Sequence, residues 1–554
     1  MAGDAKSSMN FPYTSLGAAR RFAKLRRSGF AILFTTILCL ALIGASTATL
    51  AQTNPPAKKL PSAEQVVAKY FKAIGGKKKL SSIRDASSEW TIQLNEQPIG
   101  KAIIQIKSPA SRRSEMKFGN GEILSGATPA SAWVLGLDNR LLTLTGAEAA
   151  AAKLQALLDA SHLIDFKKLN IMARVLSLGD LASEPAYIVE FSNRAGARLR
   201  YWFSVKSNLL IKVEDGARNT TLRFADYQDT PQQAGLRQPH RLTLKTGDGE
   251  LTYKLERATY NTNLPNSVFD PPRQAETLDV VGLLRAVAKN QEAVEKRVTE
   301  YAFLQKETDR ELNDKGELKK ETTRVYEVFP LANREPIRKL ISENGVAMSG
   351  DRAAKEAKRV TEEFEKAERE RAKTDERAAR RRAEREEGAG KGDSEPEEDP
   401  EISQFLKVCE FVSPRREVFG GRDAIVFDFR PRAGFKPSNR TETLISKLIG
   451  VAWIDPIDKQ VMRLEARLAE SFKMGGGLVL SLRPGAGLVM EQTRMAEGVW
   501  LPRLAQLNLS ARVFLFRGIN VNKTIEWSDY RHFQGDVNDY QLDAPKPERP
   551  DQKP

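Results

Sequence analysis

Histidine and cysteine are nearly missing from this chain, with 3 His and 2 Cys in 554 residues. His162, His240 and His532 have neither one another nor a cysteine at metal-ligand spacing, which argues against a zinc site. His162 and His240 read as solvent-facing or locally bonded imidazoles. Cys39 falls inside an N-terminal apolar run, so a chain processed after residue 51 keeps only Cys409 and can form no intramolecular disulfide. Cys409 itself reads as a small buried hydrophobe, with no base beside it to make a nucleophile. No Gly-x-Ser-x-Gly elbow and no Gly-Lys-Ser/Thr phosphate loop is present, so acyl transfer and nucleotide hydrolysis lose their usual signatures. Gly475-Gly476-Gly477 and Gly485-Ala486-Gly487 flank an apolar stretch rather than opening a helix, which predicts a β-flap and not a phosphate cradle. Basic residues lack interleaved aromatics, which speaks against nucleic acid. The expectation is a non-enzymatic protein without metal or cofactor.

What is present begins at the N-terminus. Arg20, Arg21, Lys24, Arg26 and Arg27 precede an apolar run from Phe30 to Ala45, and Thr49 and Ala51 suit the −3 and −1 positions of a signal peptidase. The run is shorter than the roughly 20 residues needed to cross a bilayer. A signal peptide at 1–51 and export to the periplasm or cell envelope are therefore expected. Those residues carry six Lys or Arg and one Asp, so their removal lowers the formal charge from +15 to +10. The remaining surplus suits peripheral contact with anionic lipid surfaces.

The strongest internal signal is a repeat. Trp202 to Glu214 (WFSVKSNLLIKVE) aligns without gaps on Trp453 to Glu465 (WIDPIDKQVMRLE), and each is followed by a Gly-x-x-x-Pro element, Gly235 to Pro239 and Gly498 to Pro502. Around each copy, period-two alternation predicts strands with one buried face. Trp90, Ile92 and Leu94 alternate with polar residues, as do Ala505, Leu507, Leu509, Ala511, Val513 and Leu515. Asp428 and Glu465 alternate with apolar neighbours and read as solvent-facing. A helix capped by Ser62 and stopped by Gly75-Gly76 opens the first half, an alanine-rich helix at 147–158 interrupts it, and a helix from Leu278 to about Val298 opens the second. Residues 351–400 shift to Lys, Arg, Glu and Ala, predicting a solvated charged helix and then a flexible acidic linker. The expected organisation is a signal peptide (1–51), a leader (52–61), a first domain (62–273), a second domain (278–545) with the charged insertion 351–400, and a disordered tail (546–554).

These elements resemble the LolA/LolB-like superfamily of outer-membrane lipoprotein-sorting proteins, through the hairpin at 453–465 with Gly498 to Pro502 and, more divergently, Trp202 to Glu214 with Gly235 to Pro239. The resemblance implies an α+β fold, mainly antiparallel β: two curved-sheet incomplete barrels, each covered by helices. It also implies an apolar cavity that holds lipid or lipoprotein acyl chains. The residues expected to line it are Trp90, Ile92, Leu94, Ile104 and Ile106 in the first unit and Leu507, Leu509, Val513 and Leu515 in the second. An envelope-stress sensor of the same fold, or a structural envelope protein binding partners through the charged segment, is the alternative.

Overall fold

The computed structural model describes residues 60–532 except 231–234, 248, 275–277, 299, 313–317, 332–333, 386–399, 475–479, 497 and 514–516. The segments expected to be the signal peptide, the acidic linker and the terminal tail, and Leu515, thus lie outside the described residues.

The chain builds two 13-stranded antiparallel sheets, both curved and neither closed into a barrel. In the first sheet, strand Asp85–Leu94 pairs with the last strand, Gly249–Tyr260. Five further strands run outward from Asp85–Leu94 and end at Leu141–Thr143. Helix Gly146–Ala160 then carries the chain to the far edge at Met172–Leu181, from which a meander returns strand by strand to Gly249–Tyr260.

The second sheet repeats this path. Tyr301–Leu312 pairs with the last strand, Arg517–His532; the outward strands end at Val346–Ala347; helices Gly350–Arg385 and Pro400–Val408 cross to the far edge at Cys409–Phe419; and the meander comes back through Arg422–Pro431, Leu448–Asp455, Gln460–Leu468, Gly487–Arg494 and Trp500–Val513. A short hairpin, Phe472–Met474 with Leu480–Leu482, pairs off this path onto Trp500–Val513. The expected flap falls partly on this hairpin, with residues 475–479 outside the described residues.

The sequence repeat falls on equivalent places. Lys212 pairs with Trp202 and Arg463 with Trp453 across matching hairpins. In each, the cation sits over the indole, the Lys212 ammonium 3.7 Å from the Trp202 ring and the Arg463 guanidinium 5.8 Å from the Trp453 ring. Gly235 and Gly498 take φ of 74° and 81°, a left-handed turn that glycine adopts without strain, before strands Arg237–Thr246 and Trp500–Val513. At the first of these turns Gly75 is also required, because a Cβ there would lie 2.2 Å from the Gly235 carbonyl oxygen.

Each opening helix fills the same role. Helix Ala63–Ala73 begins in a capping box, with the Gln65 amide donating to Ser62 Oγ and the Ser62 amide to Gln65 Oε1. It packs Val66 and Val67, with Leu154 and Leu158 of the alanine-rich helix, on Val189, Phe191, Tyr201 and Phe203. Helix Val280–Val298 packs Leu283, Leu284 and Val287 on Phe427, Ala452 and Ile454. Burial of each such side chain contributes about 1.5–3 kcal/mol.

The charged segment is a largely exposed helix as expected, and it is also anchored to the sheet. Helix Gly350–Arg385 occupies the crossover position that Gly146–Ala160 holds in the first sheet, and it is anchored by Val360 and Phe364 against Ala302, Phe329 and Ile337. An antiparallel sheet whose next strand lies at the opposite edge needs such a bridge.

Candidate binding site

The two sheets meet across a layer of polar side chains that borders a partly open cavity of about 1240 Å³. One wall is the alanine-rich helix, which presents Ala149, Ala150, Leu154 and Leu157. Four alanines in a row at 149–152 keep that wall shallow and leave room beneath it. The facing wall comes from strands Gln460–Leu468, Gly487–Arg494 and Trp500–Val513, including Leu468, Leu488 and Leu507. The C-terminal end of the flap, Pro484 to Gly487, closes one side, where the Asn170 amide donates to the Pro484 carbonyl at 3.4 Å.

Charge is distributed unevenly around this space, with nine Lys or Arg against four Asp or Glu in the lining. Lys153, from the alanine-rich helix, lies 3.5 Å from Glu465. Glu465 pairs with Arg463 at 2.8 Å, and Arg463 reaches Glu491 at 2.7 Å. Burial pushes the Lys153 ammonium below its ordinary pKa; Glu465 offsets part of this and the nearby Arg467 charge adds to it. Arg467 donates from Nε to the Pro129 carbonyl at 2.6 Å and makes no ion pair among the described residues. Loss of water pulls it down to about 10.

Beside the cavity the halves are joined by a closed polar lock. Arg415 is fully buried and pairs with Glu417 at 2.8 Å and Asp428 at 3.1 Å. Thr143, at the outer edge of the first sheet, donates its amide to Glu417 at 2.8 Å and its hydroxyl at 2.6 Å. The Ser131 hydroxyl donates to Asp428. Ser413 donates to the Pro271 carbonyl at 2.6 Å, tying in the segment between the sheets. The turn at 128–131 serves both features, giving Pro129 to Arg467 and Ser131 to Asp428.

These positions correct two sequence readings. Asp428 is 5% exposed and Glu465 lines the cavity, so neither faces open solvent. The reason is a second layer: strand Arg422–Pro431 is buried on both faces because the first half covers what alternation assigns to water. His162 is half-buried, and burial pushes its pKa down to about 4. Cys409 is fully buried as expected, which raises its thiol to about 12. Among the described residues no group of three or more His, Cys, Asp or Glu could hold a metal ion.

The residues expected to contact lipid are dispersed. Trp90 and Ile92 are buried in a cluster with Ala102, Met116, Ile123, Leu242 and Tyr253, and Ile104 packs partly buried against it. Leu94 and Ile106 are half-buried. Leu509 packs against the cluster of Leu468, Phe472 and Ala486. Val513 ends its strand, opposite Arg517. Leu507 is the member of the set that lines the inter-sheet cavity. Lys153, Arg415 and Arg467 were missed. The one available signal was the repeat itself, because Glu214 and Glu465, its matched last residues, both line the cavity.

No protein-family model matches the sequence, and no curated protein matches it. Solved structures similar to parts of the chain include a LolA superfamily protein from Nitrosomonas europaea, at 10% identity over 38% of this chain and 98% of that one, with a TM-score of 0.27. A second is a putative outer membrane lipoprotein-sorting protein domain from Vibrio parahaemolyticus, at 12% identity over 37% of this chain and 94% of that one, with a TM-score of 0.25. The Pseudomonas aeruginosa MucA/MucB complex is similar at 7% identity over 85% of this chain and 99% of that one, with a TM-score of 0.17. The LolA-like resemblance seen in the sequence thus recurs among solved structures. Similarity at these scores carries no weight for function.

Proposed function

We propose that this protein is an exported, non-enzymatic binding protein for the acyl chains of lipids or lipoproteins, working in the periplasm or cell envelope as two tandem units at 62–273 and 278–545. The observation that supports this reading is the inter-sheet cavity, with apolar side chains on both walls. A volume of about 1240 Å³ exceeds the roughly 300–1,000 Å³ of most small-molecule sites. An acyl chain gains about 0.8 kcal/mol per methylene removed from water and needs no directional partner, so walls of Ala and Leu suffice. Export rests on the N-terminal sequence alone; no described helix is long and apolar enough to cross a membrane.

Native mass spectrometry of the protein exported with its own leader tests this. Bound mass that dissociates as acyl-containing species is expected, and it should be lost when Ala150→Trp and Leu507→Trp fill the cavity without lowering Tm. A bare polypeptide from both proteins rejects the reading.

A second reading is partner recruitment through the charged helix. It is favoured by the length of Gly350–Arg385, of which Val360 and Phe364 join a buried cluster near the N-terminal end. Replacing Arg380, Arg381 and Arg382 with Ser should then abolish recovery of an envelope protein while leaving bound acyl mass unchanged.

A further inference from the structure

The charge at the cavity specifies more than an acyl chain. Each of its four carboxylates already has a cationic partner: Glu190 with Arg174 at 2.9 Å, Glu214 with Lys212 at 2.7 Å, Asp215 with Arg218, and Glu465 with Arg463 at 2.8 Å. Three of these partners, Arg174, Lys212 and Arg218, stand outside the lining, so the cavity's negative charge is neutralised from behind. The positive charge is neutralised only in part: Lys168, Arg200, Arg310, Arg463 and Lys523 also meet carboxylates, and among the described residues Arg467 does not. Arg467 has a single described hydrogen bond, to a backbone carbonyl, and no carboxylate within ion-pair distance among the described residues. Lys153 shares Glu465 with Arg463 at the longer distance of 3.5 Å. Arg467 stands two residues from Glu465 on strand Gln460–Leu468, Lys153 approaches that Glu465 to 3.5 Å, and the Arg467 charge adds to the lowering of the Lys153 pKa. Arg467 is half-buried, and an arginine partly withdrawn from water without an anion is a costly arrangement that folded proteins seldom keep without a use for it.

We propose that Arg467 and Lys153 form the head-group end of the cavity and take the anionic group of an amphiphile, a phosphate or a carboxylate, whose acyl chain lies between Leu157 and Leu507. This rests on the acyl-binding reading above and adds the class of ligand. The guanidinium supplies a planar pair of donors suited to two oxygens of one anion, and the ammonium supplies a point charge beside it. Fixation of Arg467 by the Pro129 carbonyl holds the fork in place before the ligand arrives, which lowers the ordering cost of binding.

The test uses the full exported protein, delipidated, titrated calorimetrically with dodecyl phosphate, with dodecyl maltoside as a neutral amphiphile of the same chain length, and with inorganic phosphate. Dodecyl phosphate should bind at least tenfold more tightly than the other two. Arg467→Met should erase that preference while leaving neutral binding unchanged, and Lys153→Met should reduce it. Equal binding of the charged and neutral amphiphiles overturns the head-group assignment and leaves the acyl reading standing. Binding of neither amphiphile overturns the acyl reading itself. Inorganic phosphate binding as tightly as dodecyl phosphate shows a site for a free anion and overturns the amphiphile. Preference retained in Arg467→Met, with Tm at or above that of the parent, places the head group elsewhere.

Discussion

Arg415 and Arg467 both leave the second sheet for the first half, and they arrive in opposite electrostatic company. Arg415 is enclosed by Glu417, Asp428, Thr143 and the Ser413 carbonyl, so its charge and theirs are satisfied within the fold. Arg467 meets one carbonyl and a cavity. The contrast separates two uses of a cation at the junction of the halves. Where the opposing charge is built in, the pair fixes how two surfaces dock; where it is left out, the surface is prepared for something that brings it.

The largest effect should come from Arg415→Met. It strands Glu417 and Asp428 as unpaired buried carboxylates, a loss of about 3–5 kcal/mol, seen as a lower urea midpoint for the transition that separates the halves. Adding Glu417→Gln and Asp428→Asn should recover much of that midpoint. No recovery would mean that Arg415 acts through shape and not through charge. Ser131→Ala removes one hydroxyl donor from Asp428 and should cost about 1–3 kcal/mol in the same measurement, because a buried acceptor is left short of a partner.

A pH effect of intermediate size should arise at His162. Its pKa is depressed from the unfolded value of 6.5 to about 4, so between these values the unfolded chain binds a proton that the folded one refuses. The contribution of His162 to stability is therefore fully present above pH 6.5 and is lost as pH drops toward 4. His162→Asn, a residue that tolerates the positive φ of 51°, should flatten the decline of Tm between pH 7 and pH 5. An unchanged slope would assign the acid sensitivity to other groups. The smallest stability effect should come from Arg467→Met, with Tm little changed or raised, because a charge without a counter-ion is removed and the one bond lost is that to the Pro129 carbonyl.

The parts of the fold legible in the sequence are those that local spacing encodes. The capped helix at Ser62, the Trp202 and Trp453 hairpins and the Gly235 and Gly498 turns stand at equivalent points of the two sheets, because turn glycines and alternation act within a few residues. The pairing of first strand with last, and hence the role of helix Gly350–Arg385 in the crossover, depends on contacts more than 150 residues apart, Asp85–Leu94 with Gly249–Tyr260 and Tyr301–Leu312 with Arg517–His532, that no local pattern carries. The site was less legible. Alternation gives a strand one wet face, yet the strand bearing Asp428 has two dry ones, and Lys153 meets Glu465 across 312 positions. Apolar strand faces at Trp90 and Ile92 looked like ligand surface because periodicity reports burial without saying what does the burying.

The most direct test of the account is the location of the ligand. A photo-crosslinking acyl phosphate, irradiated on the delipidated protein and mapped by peptide mass spectrometry, should label the 149–157 segment on one wall and the region of Arg467, Leu488 and Leu507 on the other. Labelling at Trp90, Ile92 and their neighbours, with the inter-sheet walls untouched, would contradict it.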